Sequence, residues 1–278
     1  MAQARQKHST SAIEPLKISA FRAIWTAALC TNTGLFIQDV GTAWLMTSLT
    51  DQPFMTALLQ TAATLPFFIL ALPAGAFADL FDRRKLVLCA QIWSLLAAAT
   101  LAFATLSGLT TPWLLLTLTF LLFIGNASGA PAWSALTPEL VPRRHLESAI
   151  GLGSAGYNLA RGAGAAIGGV IVASYGPGWA FGVNACCYSV MIYTLLRWKY
   201  RRDASHQSSE HIVGAIRAGI RYVRHSFAMK AILVRTVVFA TSCSALWALL
   251  PLLARQQLKL NSVQYGIIVS AFGVGTLI

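Results

Sequence analysis

Long apolar runs alternate with short polar breaks along almost the whole chain. Seven runs, at residues 23–49, 54–77, 86–106, 113–136, 149–174, 178–198 and 231–253, are long enough to cross a bilayer as helices, which takes about 20 residues. An eighth runs from 265 to 278. Its 14 residues reach only about 21 Å as a helix, short of a hydrocarbon core of about 30 Å. The pattern predicts an all-α polytopic transmembrane helix bundle. It divides into a six-helix half at 1–198, a basic link at 199–230 and the start of a further half at 231–278.

The breaks carry an alternating charge pattern. Arg5, Lys7, Lys17 and Arg22 precede the first span; Arg83, Arg84 and Lys85 follow the second; Arg143 and Arg144 follow the fourth. The link after the sixth holds Lys199, Arg201, Arg202, Arg217, Arg221, Arg224 and Lys230. The intervening breaks at 50–53, 107–112 and 175–177 hold no Lys or Arg. Basic loops stay in the cytoplasm, so the pattern predicts a cytoplasmic N-terminus. Glu14 and Pro15 interrupt the basic leader and a long span follows, so it predicts an uncleaved first helix. Within the link, Ile212, Ile216, Ile220 and Val223 fall at helical spacing with Arg217, Arg221 and Arg224 largely on another face. Two readings stay open there: an amphipathic helix on the inner membrane surface, or a solvated linker helix.

Composition narrows the class. With 56% hydrophobic and 11% charged residues, the chain is far from the roughly 25% charged typical of soluble domains. The net charge of +12 would suggest nucleic acid in a soluble chain, but the positive-inside arrangement accounts for it, and no nucleic-acid partner is expected. Cys30, Cys89, Cys186, Cys187 and Cys243 lie in apolar runs with no C-x-x-C spacing, so neither a metal site nor a disulfide framework is expected. Gly151-Leu152-Gly153-Ser154-Ala155-Gly156 is formally a dinucleotide fingerprint, yet lacks the preceding strand and the acidic residue about 20 positions on. No cofactor is expected. There is no phosphate-binding loop for an energised pump, and His8, His145, His206, His211 and His225 all fall outside the spans, which disfavours a membrane-embedded enzyme.

Two motifs carry a resemblance. Gly75-Ala76-Phe77-Ala78-Asp79-Leu80-Phe81-Asp82-Arg83-Arg84-Lys85, between the second and third spans, resembles the loop signature G-x-L-A-D-R-x-G-R-R/K of the major facilitator superfamily. Gly75, Ala78, Asp79, Arg83 and Arg84 match; Phe77 takes the Leu place, and Leu80 and Asp82 depart from it. In the fifth span Gly164, Gly168 and Gly169 match the glycine-rich motif of facilitator exporters, G-P-x-x-G-G, with Ala165 in place of Pro. Gly164-x-x-x-Gly168 also serves close helix packing, and the two readings are compatible. Asn158 and Arg161, with Asn32, Gln38 and the run Pro138-Glu139-Leu140-Val141-Pro142, resemble the secretion-effector branch that includes the enterobactin exporter. Against the drug/proton antiporters, Leu121 stands four residues before Gly125 where an Arg is usual.

The resemblance implies secondary export of a small amphiphilic molecule, siderophore- or drug-like, by alternating access in a bacterial inner membrane, with protons as the candidate coupling ion and lipid as surroundings. It implies a gating role for Gly75, Asp79, Arg83 and Arg84, with Asp79 latching the cytoplasmic side onto the other half and Arg83 and Arg84 as local partners. The bland alternative is that Asp79 only caps a helix or turn. Asp39 in the first span and Arg161 in the fifth are intramembrane charges at similar depth, roughly 25 and 20 Å along their helices. Such charges are costly and need partners. They form either a structural pair or, with Asn32, Gln38, Asn126 and Asn158, a polar site for substrate or protons. Twelve-helix facilitators hold their site between two halves, so the short last run gives the expectation of a fragment that does not transport alone, against a short protein completed by another chain. Oligomeric state stays open.

Overall fold

The computed structural model describes residues 13–198 and 227–275. The amphipathic segment expected at 212–223 lies outside the described residues. Eight α-helices occur among those described: α1 (Ser19–Leu49), α2 (Pro53–Leu80), α3 (Arg83–Leu106), α4 (Pro112–Leu140), α5 (Leu146–Tyr175), α6 (Pro177–Arg197), α7 (Phe227–Leu252) and α8 (Ser262–Gly275). A π-helical turn, Leu253–Gln257, continues α7, and short 3-10 turns precede α1 and α5.

Local chemistry sets the helix starts. Pro53, Pro112 and Pro177 open α2, α4 and α6, where the missing N–H costs nothing. Asp82 caps α3 by accepting from the Lys85 N–H at 3.1 Å, and Thr111 caps α4 by accepting from Leu114 at 3.2 Å. The link from α5 to α6 is the single residue Gly176, whose φ of 89° suits glycine.

Helix α1 packs on α5 and α6, α3 on α4 and α6, and α2 on α4. Small residues bring these pairs together. A Cβ on Gly34 of α1 would lie 2.8 Å from Cys187 of α6, and one on Gly129 of α4 would lie 2.8 Å from Ala90 of α3. In lipid, where apolar surface gives no hydrophobic drive between helices, such close backbone approach is what holds a bundle. One end of the bundle carries the start of α1 and the basic α2–α3 and α4–α5 links; it is called the basic end below. Leu45, Met46, Leu101, Leu115 and Phe181 fill the interior near the opposite end.

Among the described residues five helices are long and apolar enough to cross a membrane: α2, α3, α4, α6 and Met229–Gln257. The sequence pattern predicts seven full spans. Helices α1 and α5 have the length, 31 and 30 residues, but fall short in apolar content. The reason is physical: they carry Asn32, Gln38 and Asp39, or Asn158, Arg161 and a run of glycines, on faces turned into the protein rather than to lipid.

Candidate functional site: a cavity inside the bundle

A cavity of about 750 Å³ lies inside the bundle. Its lining reaches the basic end at Phe21 of α1, Leu140 of α4 and Ile150 of α5. Its floor lies near Asp39 and Phe67, roughly 30 Å along α1 from Ser19. The walls are aromatic: Trp25 and Phe36 on α1, Phe67 on α2, Phe123 and Trp133 on α4, and Tyr157 on α5. Polar groups punctuate them. Asn126 and the Tyr188 hydroxyl bond to each other in both directions, at 3.1 and 3.2 Å. Gln91 lines the wall, and its Oε1 is buried without a hydrogen-bond partner among the described residues. Asp39 is exposed although it lies deep in the bundle, because it faces the open space.

The face of α1 that reaches the cavity is Asn32, Leu35, Phe36 and Asp39, a run at i, i+3, i+4 and i+7. Gln38 lies on a different face. It is buried against α6, where its Oε1 accepts from Asn184 Nδ2 at 2.6 Å. Gln38 is therefore removed from the expected polar site: its helical phase matches Gly34 and Gly41, which pack on α6, not Asn32 and Asp39. Asn32, Asp39 and Asn126 share the cavity. Asn158 and Arg161 do not line it.

Arg161 also departs from the expected pairing. It makes no ion pair with Asp39 within 4 Å; the ion pairs among the described residues are Arg83–Glu139 and Glu14–His145. The guanidinium lies 5.0 Å over the ring of Trp247 on α7, a cation–π contact that compensates part of its lost hydration. It still acts on Asp39 through space. The charge that sequence reasoning assigns to the interior of the first half thus faces α7.

Helix α5 is glycine-lined on two sides. A Cβ on Gly164 would sit 2.7 Å from the Thr33 carbonyl oxygen, and one on Gly168 2.9 Å from Ile37 Cα, both on α1. A Cβ on Gly169 would sit 2.6 Å from the Ser262 carbonyl oxygen on α8, and one on Gly273 of α8 2.6 Å from the Gly162 nitrogen. Gly164 and Gly168 serve the α1 contact, and Gly169 serves α8. Without a proline at 165, this helix is shaped by contact alone. Beyond the cavity floor, Arg255 of the π-helical turn stacks 5.2 Å over Trp44 and donates to Thr47 Oγ1 at 3.1 Å. Its neighbour Gln256 donates to Asp51 at 3.1 Å. These contacts tie α7 to α1 at the end opposite the basic one.

In the α2–α3 link the basic residues are engaged within the bundle. Arg83 donates to Glu139 and to the Ala135 carbonyl on α4. Arg84 donates to the carbonyls of Leu195 at 2.8 Å and Leu196 at 3.0 Å, covering the C-terminal end of α6, where a cation suits the helix dipole. Neither serves Asp79, which corrects the expectation of local partners. Asp79 is exposed in the last turn of α2 and has no partner among the described residues. The capping carboxylate is Asp82 instead. Nothing lies within 4 Å of a Cβ on Gly75.

Sequence reasoning missed the aromatic wall, Gln91, Asn184 and Tyr188. The signal available for part of it was the helical phase of Asp39, which picks out Asn32, Leu35 and Phe36.

The family model described as transmembrane secretion effector matches residues 10–278. The staphyloferrin A transporter of Staphylococcus aureus is 24% identical over 251 residues, covering 88% of this chain and 62% of that protein. The enterobactin exporter EntS of Salmonella choleraesuis is 26% identical over 261 residues, covering 93% and 62%. The macrolide efflux protein A of Streptococcus pyogenes is 24% identical over 131 residues, covering 47% and 32%. The chain thus spans about three fifths of the length of the siderophore-transporter relatives it matches. It is a multi-pass helical membrane protein and belongs to the transmembrane secretion effector family of the major facilitator superfamily.

Proposed function

We propose that the protein serves secondary export of a small amphiphilic molecule, siderophore- or drug-like, by alternating access, with proton counterflow as the drive. The carrying observation is the cavity: about 750 Å³, within the range of drug-sized sites, aromatic-walled, and reaching the basic end, while packing and the Arg255 contacts occupy the other. Relatives named for siderophore transport and macrolide efflux support the reading. In this reading the basic end is the mouth and faces the cytoplasm of a bacterial inner membrane, so cargo enters from within. Asn32, Asp39 and Asn126 meet it, and Asp79 latches the mouth once it closes.

Binding is testable on the 278-residue chain. Trp25 and Trp133 line the cavity, so a panel of siderophores and amphiphilic dyes is titrated against intrinsic fluorescence in detergent. Saturable quenching that disappears in the Trp25→Phe/Trp133→Phe variant is the expected result. A panel without any saturable quenching contradicts the reading.

A further inference from the structure

His145 ends the α4–α5 link and stands immediately before α5. Its imidazole is buried, and its two nitrogens face groups of opposite charge. Arg144 donates from Nε to Nε2 at 3.0 Å. Arginine has no acceptor atom, so Nε2 is the bare nitrogen and the ring proton sits on Nδ1. Nδ1 lies 3.6 Å from Glu14 Oε2, just beyond hydrogen-bond reach. Glu14 opens the short turn Glu14–Lys17 ahead of α1. That turn rests on the rim of the bundle: Leu16 and the following Ile18 pack on a cluster of Phe21, Val141 and Ala149. Phe21 and Ala149 also line the cavity. The other charged groups on the elements around the ring are Lys17, Arg22 of α1, Glu139 of α4, Arg143 and Glu147 of α5. Glu139 is engaged by Arg83, and among the described residues the imidazole is bonded or paired to Arg144 and Glu14.

We propose that His145 is a proton-operated clasp for the N-terminal turn: charging the imidazole exchanges Arg144 for Glu14 and tightens the turn on the rim. In the charged ring both nitrogens donate. Nε2–H then meets the Arg144 donor at 3.0 Å, donor against donor and cation against cation, so Arg144 swings away into the water it already faces. The charged ring stays buried at the N-terminal end of α5, the unfavourable end of a helix dipole for a cation, and a buried charge is costly unless it is answered. The Glu14 carboxylate is the anion at hand. A shift of about 1 Å turns the 3.6 Å contact into a charge-assisted hydrogen bond. By linkage, a contact that needs the charged ring is strong at low pH and is lost as the pH rises. The clasp uses neither cargo nor the polar groups of the cavity, so it goes beyond the export reading and stands or falls apart from it.

The test is hydrogen exchange of the purified chain in detergent micelles at about pH 5.5 and about pH 8, which bracket the usual charge change of imidazole. Protection factors, corrected for the intrinsic pH dependence of exchange, are compared for residues 14–22, where the Leu16 and Ile18 amides donate to the Ile13 and Pro15 carbonyls. A segment within α3 serves as the internal reference. The expected result is protection of 14–22 about threefold or more higher at the lower pH, with α3 unchanged. Glu14→Gln and His145→Gln should each abolish the rise. Arg144→Gln should keep it and move it to higher pH, because the competing cation is gone. Where His145→Gln folds poorly, Glu14→Gln decides, since that side chain is 34% exposed. Equal protection at both pH values in the unaltered chain overturns the clasp. So does a rise that survives Glu14→Gln, which places the effect on another titrating group.

Discussion

Within α1, adjacent residues have opposite tasks. Asp39 faces the cavity, while Gln38 is buried against α6 and held by Asn184. Removing the Asn184 amide alone strands a buried acceptor, which costs about 1–3 kcal/mol. Asn184→Ala should therefore lower the thermal midpoint in detergent, and adding Gln38→Leu should recover part of the loss. Arg161 gives the complementary case. Its contact is with Trp247, so Arg161→Gln and Trp247→Ala should be non-additive in a double-mutant cycle on thermal stability, with a coupling of about 0.5–2 kcal/mol. The Arg161→Gln and Asp39→Asn pair should couple more weakly. Stronger coupling of Arg161 to Asp39 than to Trp247 would restore the direct ion pair.

Helix α5 is held by contacts that admit no side chain. A Cβ on Gly164 or Gly169 would meet a carbonyl oxygen at 2.7 or 2.6 Å, and overpacking of this kind costs about 1–3 kcal/mol. The two substitutions should differ in what they damage. Gly164→Val acts on the α1–α5 contact and should destabilise the six-helix bundle as a whole. Gly169→Val acts on the α5–α8 contact and should loosen α8, read as faster proteolysis or hydrogen exchange within 262–275 while α1 stays protected. Equal exchange in the two variants would contradict this division. The helices themselves were legible in the sequence to within a few residues, because apolar length and N-terminal prolines are local signals. Part of the site was legible for a related reason: Asn32, Asp39 and Asn126 stand out as polar residues in apolar runs. The aromatic wall was not, since Phe and Trp are unremarkable in a membrane span and only helical phase sorts cavity from lipid. Gln38 was misplaced by the same neglect of phase, and the partner of Arg161 sits on a helix 86 positions away.

Across the molecule, the cavity lining reaches the basic end and the opposite end is tied. Arg255, Trp44 and Thr47 hold α7 against α1 beyond the cavity floor, while Asp79 at the basic end has no partner among the described residues. A carboxylate in the last turn of a helix is at the unfavourable end of its dipole. In the proposed reading, Asp79 gains a positive partner once the mouth closes. Asp79→Asn should leave membrane insertion and the open form intact and impair closing; unchanged transport in a protein carrying it would rule out the latch. The most direct test of the whole arrangement is access to the cavity from each side of the membrane. With Cys30, Cys89, Cys186, Cys187 and Cys243 replaced by Ser, a single cysteine at position 32 is exposed to a membrane-impermeant maleimide in everted and in right-side-out vesicles. The account predicts rapid labelling in everted vesicles, where the basic end faces the medium, and little in right-side-out ones. Labelling from the opposite side alone, or equal labelling from both, would contradict it.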